Sequence, residues 1–330
     1  MSMREEAFKR FNQILKDDGK LTKKLPFGSG HKYAILSDLH AGDGSRADNF
    51  RKNKDIFVKA LEYYRRNGYS VILLGDIEEF HQFTLFHICH MYDDSVYNAL
   101  RKFPEGRVHR VFGNHDIDWT LEDPISRKSN QIAIEAIKLG KHIILTHGHQ
   151  AEAGYEKDLH VVRLGTTLYK MAENLFFGGS PYSASQIPGK KDKIYADWAK
   201  EKKKIFICGH THAPIFSGRS IYDWIGKKIQ KIEDEISRSS GDKEKIKKLK
   251  SRRTWLRNRK YFLDNRRKKT KKPFIKLDSP SYFNSGACLF NDGITNIEID
   301  GTVIRLMYWN NKNMVREPMW DDEDLNKILI

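Results

Sequence analysis

The chain has 330 residues, a hydrophobic fraction of 39% and an aromatic fraction of 12%, values that allow a sizeable core in an ordinary folded domain. Its formal net charge of +16 favours anionic partners such as nucleic acid, nucleotides or an acidic membrane face. No apolar run approaches the ~20 residues that span a bilayer, and the charged N-terminus lacks the apolar segment of a signal peptide, so we expect a cytoplasmic protein.

The first predicted element is an amphipathic helix over residues 4–16, which ends at Asp17-Asp18-Gly19. A different pattern, made of short apolar runs, begins at His31. We therefore predict an N-terminal helical extension over residues 1–30, followed by one domain over residues 31–330.

From His31 onwards, short apolar runs alternate with helical patterns, and this rhythm predicts an α/β layered fold. The helical patterns are Asn49–Arg66, Phe80–Arg101, Ala151–Phe177 and Lys191–Lys203. Two apolar runs on either side of Leu139-Gly140-Lys141 predict a hairpin. Three further runs, Tyr282–Leu289, Ile294–Ile299 and Val303–Trp309, predict a closing meander.

Residues 219–272 differ in kind from the rest, because they contain 21 Lys and Arg against 7 Asp and Glu, a net charge of +14 (21 − 7). Isoleucines spaced by three and four residues and leucines spaced by seven predict two helices with a narrow apolar seam. We interpret this segment as a basic helical hairpin inserted into the domain.

Five apolar runs end in side chains that can bind metal ions. The side chains are Asp38 and His40 after the first run, Asp76 after the second, Asn114, His115 and Asp116 after the third, His147 and His149 after the fourth, and His210 and His212 after the fifth. Because ligands of α/β sheets bind beyond the carboxyl ends of the strands, we expect these clusters to meet.

Mixed oxygen and nitrogen donors suit manganese, iron or zinc and argue against calcium, which takes oxygen ligands. The three cysteines, Cys89, Cys208 and Cys288, are too widely spaced for a thiolate zinc site. An open site with two metal ions is typical of hydrolysis, with one ion presenting a hydroxide for in-line attack on a phosphoryl group.

The order of the motifs resembles the signature of the calcineurin-like metallophosphoesterase superfamily. The motifs are Asp38-x-His40, Gly75-Asp76, Gly113-Asn114-His115-Asp116, His147-Gly148 and Gly209-His210-Thr211-His212. The resemblance runs from about Ile35 to His212 and, more weakly, to the closing strands. It implies a four-layer αββα sandwich and a dinuclear, metal-dependent phosphoric ester hydrolase.

The resemblance also implies a role for each motif residue. Asp38, His40 and His212 would hold one metal ion, Asn114, His147 and His210 would hold the other, and Asp76 would bridge the two. The expected ions are Mn²⁺, with iron, zinc, nickel or magnesium as alternatives. His115 would face the substrate as a general acid, oriented by a carboxylate for which Asp116 and Glu79 are both candidates.

Departures from the family pattern bear on the substrate. The second motif reads Gly-Asp-Ile-Glu-Glu-Phe rather than the Asp-Arg-Gly of phosphoprotein phosphatases, which disfavours that class. The Ser-Asp-Leu-His and Gly-His-Thr-His-Ala-Pro motifs resemble those of bacterial nucleases, cyclic-nucleotide phosphodiesterases and UDP-diacylglucosamine pyrophosphatases. The last of these usually carry Asn-Arg-Asp where this chain has Asn114-His115-Asp116.

The basic hairpin then favours a phosphodiester of nucleic acid or a nucleotide as the substrate. Four of its aromatic residues, Trp224, Trp255, Tyr261 and Phe262, are candidates for stacking on bases, although some must pack the seam. The alternatives are a nucleotide-linked lipid pyrophosphatase in peripheral contact with a membrane, a phosphomonoesterase or protein phosphatase, and a polyanion- or protein-binding module with a vestigial site.

Overall fold

The computed structural model describes residues 2–117, 134–151, 187–239, 242–270 and 275–328. The strands are β1 (Thr22–Leu25), β2 (Lys32–Leu36), β3 (Ser70–Leu74), β4 (Val108–Val111), β5 (Ala136–Leu139), β6 (Ile143–Thr146), β7 (Ile205–Cys208), β8 (Ile215–Phe216), β9 (Arg219–Ser220), β10 (Tyr282–Asn284), β11 (Gly293–Asp300), β12 (Val303–Asn310), β13 (Val315–Pro318) and β14 (Glu323–Asp324). The helices are α1 (Met3–Lys16), α2 (Lys54–Arg66), α3 (Leu85–Tyr92), α4 (Asn98–Arg101), α5 (Lys190–Lys202), α6 (Ile221–Arg238), α7 (Lys243–Thr270) and α8 (Leu325–Ile328). The helix predicted over Ala151–Phe177 lies outside the described residues, apart from its first residue.

The first sheet has the strand order β13-β12-β11-β2-β3-β4, and β14 pairs with β12. Its strands β2, β3 and β4 are parallel, with Ile35 opposite Ile72 and Ile72 opposite His109. The carboxyl ends of these three strands therefore lie at one edge of the sheet, where the first three motifs follow them.

The second sheet has the order β1-β5-β6-β7-β10-β8-β9. Strands β6, β7 and β10 are parallel, so the fourth and fifth motifs also leave the sheet at a common edge. Strands β5 and β6 form the predicted antiparallel hairpin, with Lys138 opposite Ile144.

The two sheets face each other across an apolar layer, because alternate residues of each strand point to opposite faces. Tyr33 and Ile35 of β2 share a buried cluster with Leu145 of β6 and Ile207 of β7. This cluster is the interior of a β-sandwich.

Helices cover both outer faces of the sandwich. On the first sheet, Leu36 packs in one cluster with Phe57 and Leu61 of α2. On the second sheet, the Phe206 ring lies 4.9 Å from the Phe11 ring of α1, in a cluster that also contains Trp198 of α5. The predicted four-layer αββα sandwich is confirmed.

Two predicted elements are interrupted where the chain bends towards the strand ends. The helix predicted over Phe80–Arg101 begins only at Leu85, because the Phe80 amide donates to the His115 carbonyl and Thr84 caps the helix. The predicted strand Tyr282–Leu289 ends at Asn284. After the left-handed Gly286, the Cys288 amide donates 3.1 Å to the Asp38 carbonyl, which attaches this segment to the first motif.

Helices α6 and α7, which we call the helical pair, run antiparallel to each other. Tyr222 near the start of α6 donates to Asp264 near the end of α7, while Lys245 at the start of α7 lies 3.1 Å from Glu235. Isoleucines of α6 and leucines of α7 join the apolar layer between the sheets. The limits predicted for the inserted unit, 219–272, stay a prediction, as do those of the extension over residues 1–30.

The helical pair lies along the side of the sandwich that β12, β13 and β14 border. Arg252 of α7 pairs with Glu317 of β13, and Arg219 before α6 pairs with Glu323 of β14. Part of the basic surplus is therefore neutralised by the acidic C-terminal segment. None of the helices in the described segments has both the length and the apolar character needed to cross a bilayer.

Candidate metal centre

The loops that follow β2 and β3 are joined to each other by backbone hydrogen bonds. The Asp38 amide donates 3.1 Å to the Gly75 carbonyl, and the His40 amide donates 2.9 Å to the Asp76 carbonyl. The first two motifs therefore continue the pairing of their strands beyond the sheet, which fixes the Asp38 and Asp76 side chains side by side.

Several of the motif residues have a left-handed backbone conformation. In the described segments, eight non-glycine residues have a positive φ, and five of them are predicted ligands. The five are Asp38, His40, Asp76, His210 and His212, with φ values between 47° and 65°. Side chains adopt this conformation at an energetic cost, and such strain concentrates at functional sites.

Two glycines allow the backbone to approach the carboxylates. A Cβ atom at Gly113 would lie 2.0 Å from Asp76 Oδ1, and one at Gly209 would lie 2.3 Å from Asp38 Oδ2. Both contacts are far inside van der Waals distance, so any larger residue would displace a carboxylate.

Asp38, His40 and His212 form one group, because their ligand atoms lie within 4.8 Å of one another. His212 Nε2 lies 3.0 Å from Asp38 Oδ1 and 3.2 Å from His40 Nε2. The Ser37 hydroxyl and the His210 amide both donate to the Asp38 carboxylate, which orients it. These three side chains are the ones predicted to hold one metal ion.

Asp76, His147 and His210 form a second group of the same kind. His147 donates from Nδ1 to the Leu74 carbonyl at 2.8 Å, so its neutral tautomer offers Nε2, which lies 3.0 Å from Asp76 Oδ2. The same Asp76 oxygen lies 3.7 Å from His40 Nε2 of the first group. Asp76 therefore stands between the two groups, as a bridging ligand would.

Glu79 connects the first group to His115. Its Oε2 accepts from His40 Nδ1 at 2.7 Å, and its Oε1 accepts from His115 Nδ1 at 2.8 Å. One buried carboxylate thus holds both rings and leaves the Nε2 atom of each directed away from it. Of the two carboxylates considered for orienting His115, Glu79 is the one that contacts its ring.

Asp116 has different partners. Its Oδ2 accepts from the Ile77 amide at 2.7 Å and its Oδ1 accepts from the Gly113 amide at 2.6 Å. Burial, followed by the charges of Asp76 and Glu78, raises the pKa of Asp116 to about 7. The contacts of Asp116 therefore fix the loops after β3 and β4, and a direct catalytic role for it stays a prediction.

The buried acids and imidazoles of the site perturb each other. Burial by itself lowers the pKa of His147, but the Asp76 and Asp38 carboxylates outweigh this effect and raise it to about 10. Burial also lowers the pKa of His115, and Asp76 and Glu79 raise it to about 9. Burial raises the pKa of Asp76, but the surrounding histidines bring it well below the usual range. The buried carboxylates of the site therefore stabilise positive charge on the neighbouring groups.

The residues present fit a pair of divalent ions. Asn114 Oδ1 is buried and accepts no hydrogen bond from the described part of the chain, so a predicted metal-binding oxygen has no other partner there. The donor set combines carboxylates with imidazoles, and neither described group contains a cysteine. Such a set is typical of transition-metal sites with open positions. The His and Asp clusters are therefore compatible with a binuclear metal centre, while the individual ligand assignments stay predictions.

Other histidines lie at different distances from this centre. The His81 ring lies 4.0 Å from the His115 ring, and His81 forms a group with Glu79 and His115. His149 is buried, with its ring 5.6 Å from that of His147.

Supporting residues that the motifs do not reveal come from α5 and β10. The buried Asp192 carboxylate accepts from Thr211 Oγ1 at 2.7 Å and from the Tyr282 hydroxyl at 2.8 Å. Asn284 Nδ2 donates 2.8 Å to the Gly209 carbonyl. These contacts hold the loop that carries His210 and His212. No sequence spacing links Asp192 to that loop, because the contact exists only in the folded chain.

Residues 32–224 match the calcineurin-like phosphoesterase superfamily domain. Because this match covers more than half of the chain, the protein belongs to the calcineurin-like phosphoesterase superfamily. The resemblance found in the motifs is thereby confirmed.

Two solved structures are similar to the chain. One is a single mutant of Vps29 from Entamoeba histolytica, with 13% sequence identity and a TM-score of 0.37, covering 89% of this chain and 98% of that chain. The other is Vacuolar Protein Sorting 29 from Cryptosporidium parvum, with 13% identity and a TM-score of 0.39, covering 90% of this chain and 99% of that chain. No curated protein matches the chain closely enough to count as a relative.

Proposed function

We propose that the protein is a metal-dependent phosphodiesterase whose substrate is a nucleic acid or a nucleotide. The proposal of a metal-dependent hydrolase is supported above all by the position of Asp76, which lies between two groups of metal-binding side chains. His115 lies beside these groups. Asp38, His40 and His212 would hold one ion, Asn114, His147 and His210 the other, and Asp76 both.

Manganese is the first candidate metal, since the donor set mixes carboxylate and amide oxygens with imidazole nitrogens. When bound, two such ions would supply Lewis-acid activation of the attacking water and of the phosphoryl group. The chain's own residues orient these ligands: Glu79 fixes the tautomer of His40, and the Leu74 carbonyl fixes that of His147.

His115 is the proposed general acid. Its Nδ1 is bonded to Glu79 Oε1, which leaves Nε2 to face the substrate, and the neighbouring Glu79 carboxylate stabilises the protonated ring. A protonated imidazole can donate its Nε2 proton to the leaving oxygen of a phosphodiester. Asp116 would support catalysis indirectly, because its carboxylate accepts a hydrogen bond from the Gly113 amide and so holds the loop on which His115 lies.

The exposed face of α7 supports the substrate class. Lys250, Tyr261 and Lys268 are all exposed and are spaced by 11 and 7 residues, close to whole helical turns, so they share one face. Tyr261 and Phe262 are 68% and 61% exposed. Exposed lysines and exposed aromatic rings along one helix suit the phosphates and bases of a single strand.

The aromatic residues of the helical pair divide into two sets. Trp224 is buried in the layer between the sheets, so it packs the seam and cannot stack on a base. Trp255, at 39% exposure, is accessible but lies 5.2 Å below the Arg259 guanidinium. Tyr261 and Phe262 are therefore the candidates for base stacking.

The test of hydrolysis uses a panel of substrates with Mn²⁺: single-stranded and duplex nucleic acid, cyclic nucleotides, a nucleotide-diphosphate lipid and a phosphopeptide. We expect turnover of a phosphodiester, lost in Asp76→Asn and kept in Asp278→Asn, a matched change at an exposed position. Turnover confined to the lipid or the phosphopeptide would contradict the substrate class. Absence of turnover with any metal ion would leave a binding module as the explanation.

The test of the basic face uses charge reversal, because removal of the helical pair would expose the apolar layer in which Trp224 and Leu263 are buried. We expect Lys247→Glu with Lys250→Glu to weaken binding of single-stranded nucleic acid and to reduce its salt dependence. The control reverses two exposed lysines elsewhere, Lys20 and Lys312. Equal effects of the two double variants would contradict a specific binding face.

A further inference from the structure

Lys191 reaches the second group of metal-binding side chains from outside the motifs. Its Nζ lies 2.9 Å from His210 Nε2, and the His210 ring lies 5.2 Å from that of His147. Lys191 is partly buried, whereas the neighbouring Lys190 is exposed. A lysine ammonium thus lies at the edge of the proposed reaction centre.

The backbone that carries Lys191 is fixed against the His210 loop. The next residue, Asp192, is fully buried and accepts hydrogen bonds from Thr211 Oγ1 and from the Gly189 amide. Thr211 is the residue between His210 and His212. The first turn of α5 therefore cannot move away from the ligands, while the four-carbon stem of Lys191 can turn within reach of them.

The position of Lys191 is unfavourable for helix stability. It lies in the first turn of the 13-residue helix α5, where the helix dipole favours acids and disfavours cations. Its ammonium also lies against an imidazole that is predicted to bind a cation. An anion bound between the helix end and the metal centre would offset both the unfavourable interaction of Lys191 with the helix dipole and its repulsion from the metal ion.

The geometry points to Lys191 as a substrate-binding residue that contacts a non-bridging phosphoryl oxygen of the bound phosphate ester. An ammonium group has three donors on a flexible stem and acts as a mobile point charge towards phosphate. Repulsion from cations held by Asp76, His147 and His210 turns Nζ away from His210 Nε2 and towards such an oxygen. The contact neutralises charge on the phosphoryl group as the leaving bond breaks.

This inference rests on the proposed function, but it can be measured without turnover. The probe is inorganic phosphate, titrated calorimetrically into the full-length protein loaded with Mn²⁺. We expect Lys191→Met and Lys191→Gln to weaken phosphate binding about ten- to hundredfold, the range for loss of one charged hydrogen bond, and Lys191→Arg to retain most of it. The matched control, Lys190→Met, removes the same charge one residue away and should leave binding unchanged.

Titration of Mn²⁺ into the same variants distinguishes an effect of Lys191 on phosphate binding from an effect on metal binding. Weakened phosphate binding together with a Mn²⁺ affinity that is unchanged or higher supports the inference. Tighter Mn²⁺ binding with unchanged phosphate binding would overturn it, because Lys191 would then merely oppose the metal ion. If the wild-type protein binds Mn²⁺ and phosphate but hydrolyses no ester, the proposed function fails while the role of Lys191 stands.

Discussion

Glu79 and His115 are joined by a buried hydrogen bond of 2.8 Å between Oε1 and Nδ1. The other oxygen of the same carboxylate holds His40. Since Glu79 contacts a predicted ligand and the proposed acid at once, the geometry of binding and the geometry of proton transfer depend on one side chain.

The first prediction is that Glu79→Gln lowers kcat by about 10- to 100-fold, the usual effect of losing a carboxylate that orients metal-binding histidines. The amide can accept from one ring through its oxygen but presents an NH₂ group to the other. Steady-state kinetics of a phosphodiester substrate with Mn²⁺ measure the change. Glu105→Gln, an exposed position, should behave as wild type, and an unchanged kcat in Glu79→Gln would contradict the orienting role.

The second prediction concerns the support of the His210 loop. Thr211→Val removes the hydroxyl that donates to the buried Asp192 carboxylate, and we expect the free energy of unfolding to fall by about 1–3 kcal/mol. Thr211→Ser keeps the hydroxyl and should lose much less. Urea denaturation of the two variants provides the comparison, and a loss in Thr211→Val no larger than that in Thr211→Ser would contradict a stabilising role for the hydrogen bond.

The third prediction is a dependence of stability on pH that arises at His109, away from the metal centre. Burial, with the nearby Lys23 and Arg107 charges, lowers the pKa of His109 to about 4 in the folded protein, against ~6.5 when unfolded. Between these values the unfolded chain binds the additional proton. Stability from this residue is therefore present above pH 6.5 and is lost as the pH falls towards 4, by about 3 kcal/mol in total.

Denaturant titrations at several pH values measure this effect. His109→Gln cannot take up the proton, so its stability should fall less steeply than that of the wild type between pH 6.5 and pH 4. His142→Gln replaces an exposed histidine and is the control. An equal fall in the free energy of unfolding of the wild type and of His109→Gln between pH 6.5 and pH 4 would contradict the prediction.

The fourth prediction tests the packing of the helical pair. Leu256 of α7 is fully buried, and Leu256→Ala should lower the free energy of unfolding by about 2–5 kcal/mol. Tyr261→Ala, on the exposed face of the same helix, should change stability little. Thermal unfolding followed by circular dichroism distinguishes the two, and a small effect at Leu256 would mean that the helix is dispensable for the core.

The fifth prediction is that Mn²⁺ stabilises the folded protein. An ion that binds only the folded state adds about 2.7 kcal/mol at a hundredfold excess over its Kd. The Tm should therefore rise with Mn²⁺ concentration and return to its starting value after chelation. Asp76→Asn should abolish the dependence, whereas Asp278→Asn should keep it.

Local patterns in the sequence predict an α/β layered fold and the edge of the sheet at which the site lies, whereas the four-layer sandwich is implied by the resemblance of the motifs. Asp38 and Asp76 end apolar runs of strand length, and the carboxyl ends of parallel strands must meet. The resemblance of the motifs made Glu79 a candidate for orienting His115, as it did Asp116. The structure then distinguishes it from Asp116, since that choice depends on which carboxylate reaches the His115 ring in space.

The features of the site that the sequence does not predict depend on contacts between segments that are distant along the chain. Lys191 and Asp192 lie on a helix with no motif of its own, and they reach the site only because α5 packs beside β7 and β10. Trp224 and Tyr261 are both aromatic residues of a basic segment, but one faces the apolar layer and the other faces solvent. Helical spacing alone did not assign those faces.

The pairing of β11 with β2 has a consequence for how the protein folds. Ile297 lies opposite Ile35, so the strand that presents Asp38 and His40 has one neighbour from its own region and another from more than 250 residues later (297 − 35 = 262). During synthesis, β2 is made early, but its side that pairs with β11 stays without a partner strand until β11 leaves the ribosome. Such non-local pairings form slowly and leave strand edges exposed to aggregation. We expect the metal-binding loops to become rigid only after β11 has been made and has paired with β2.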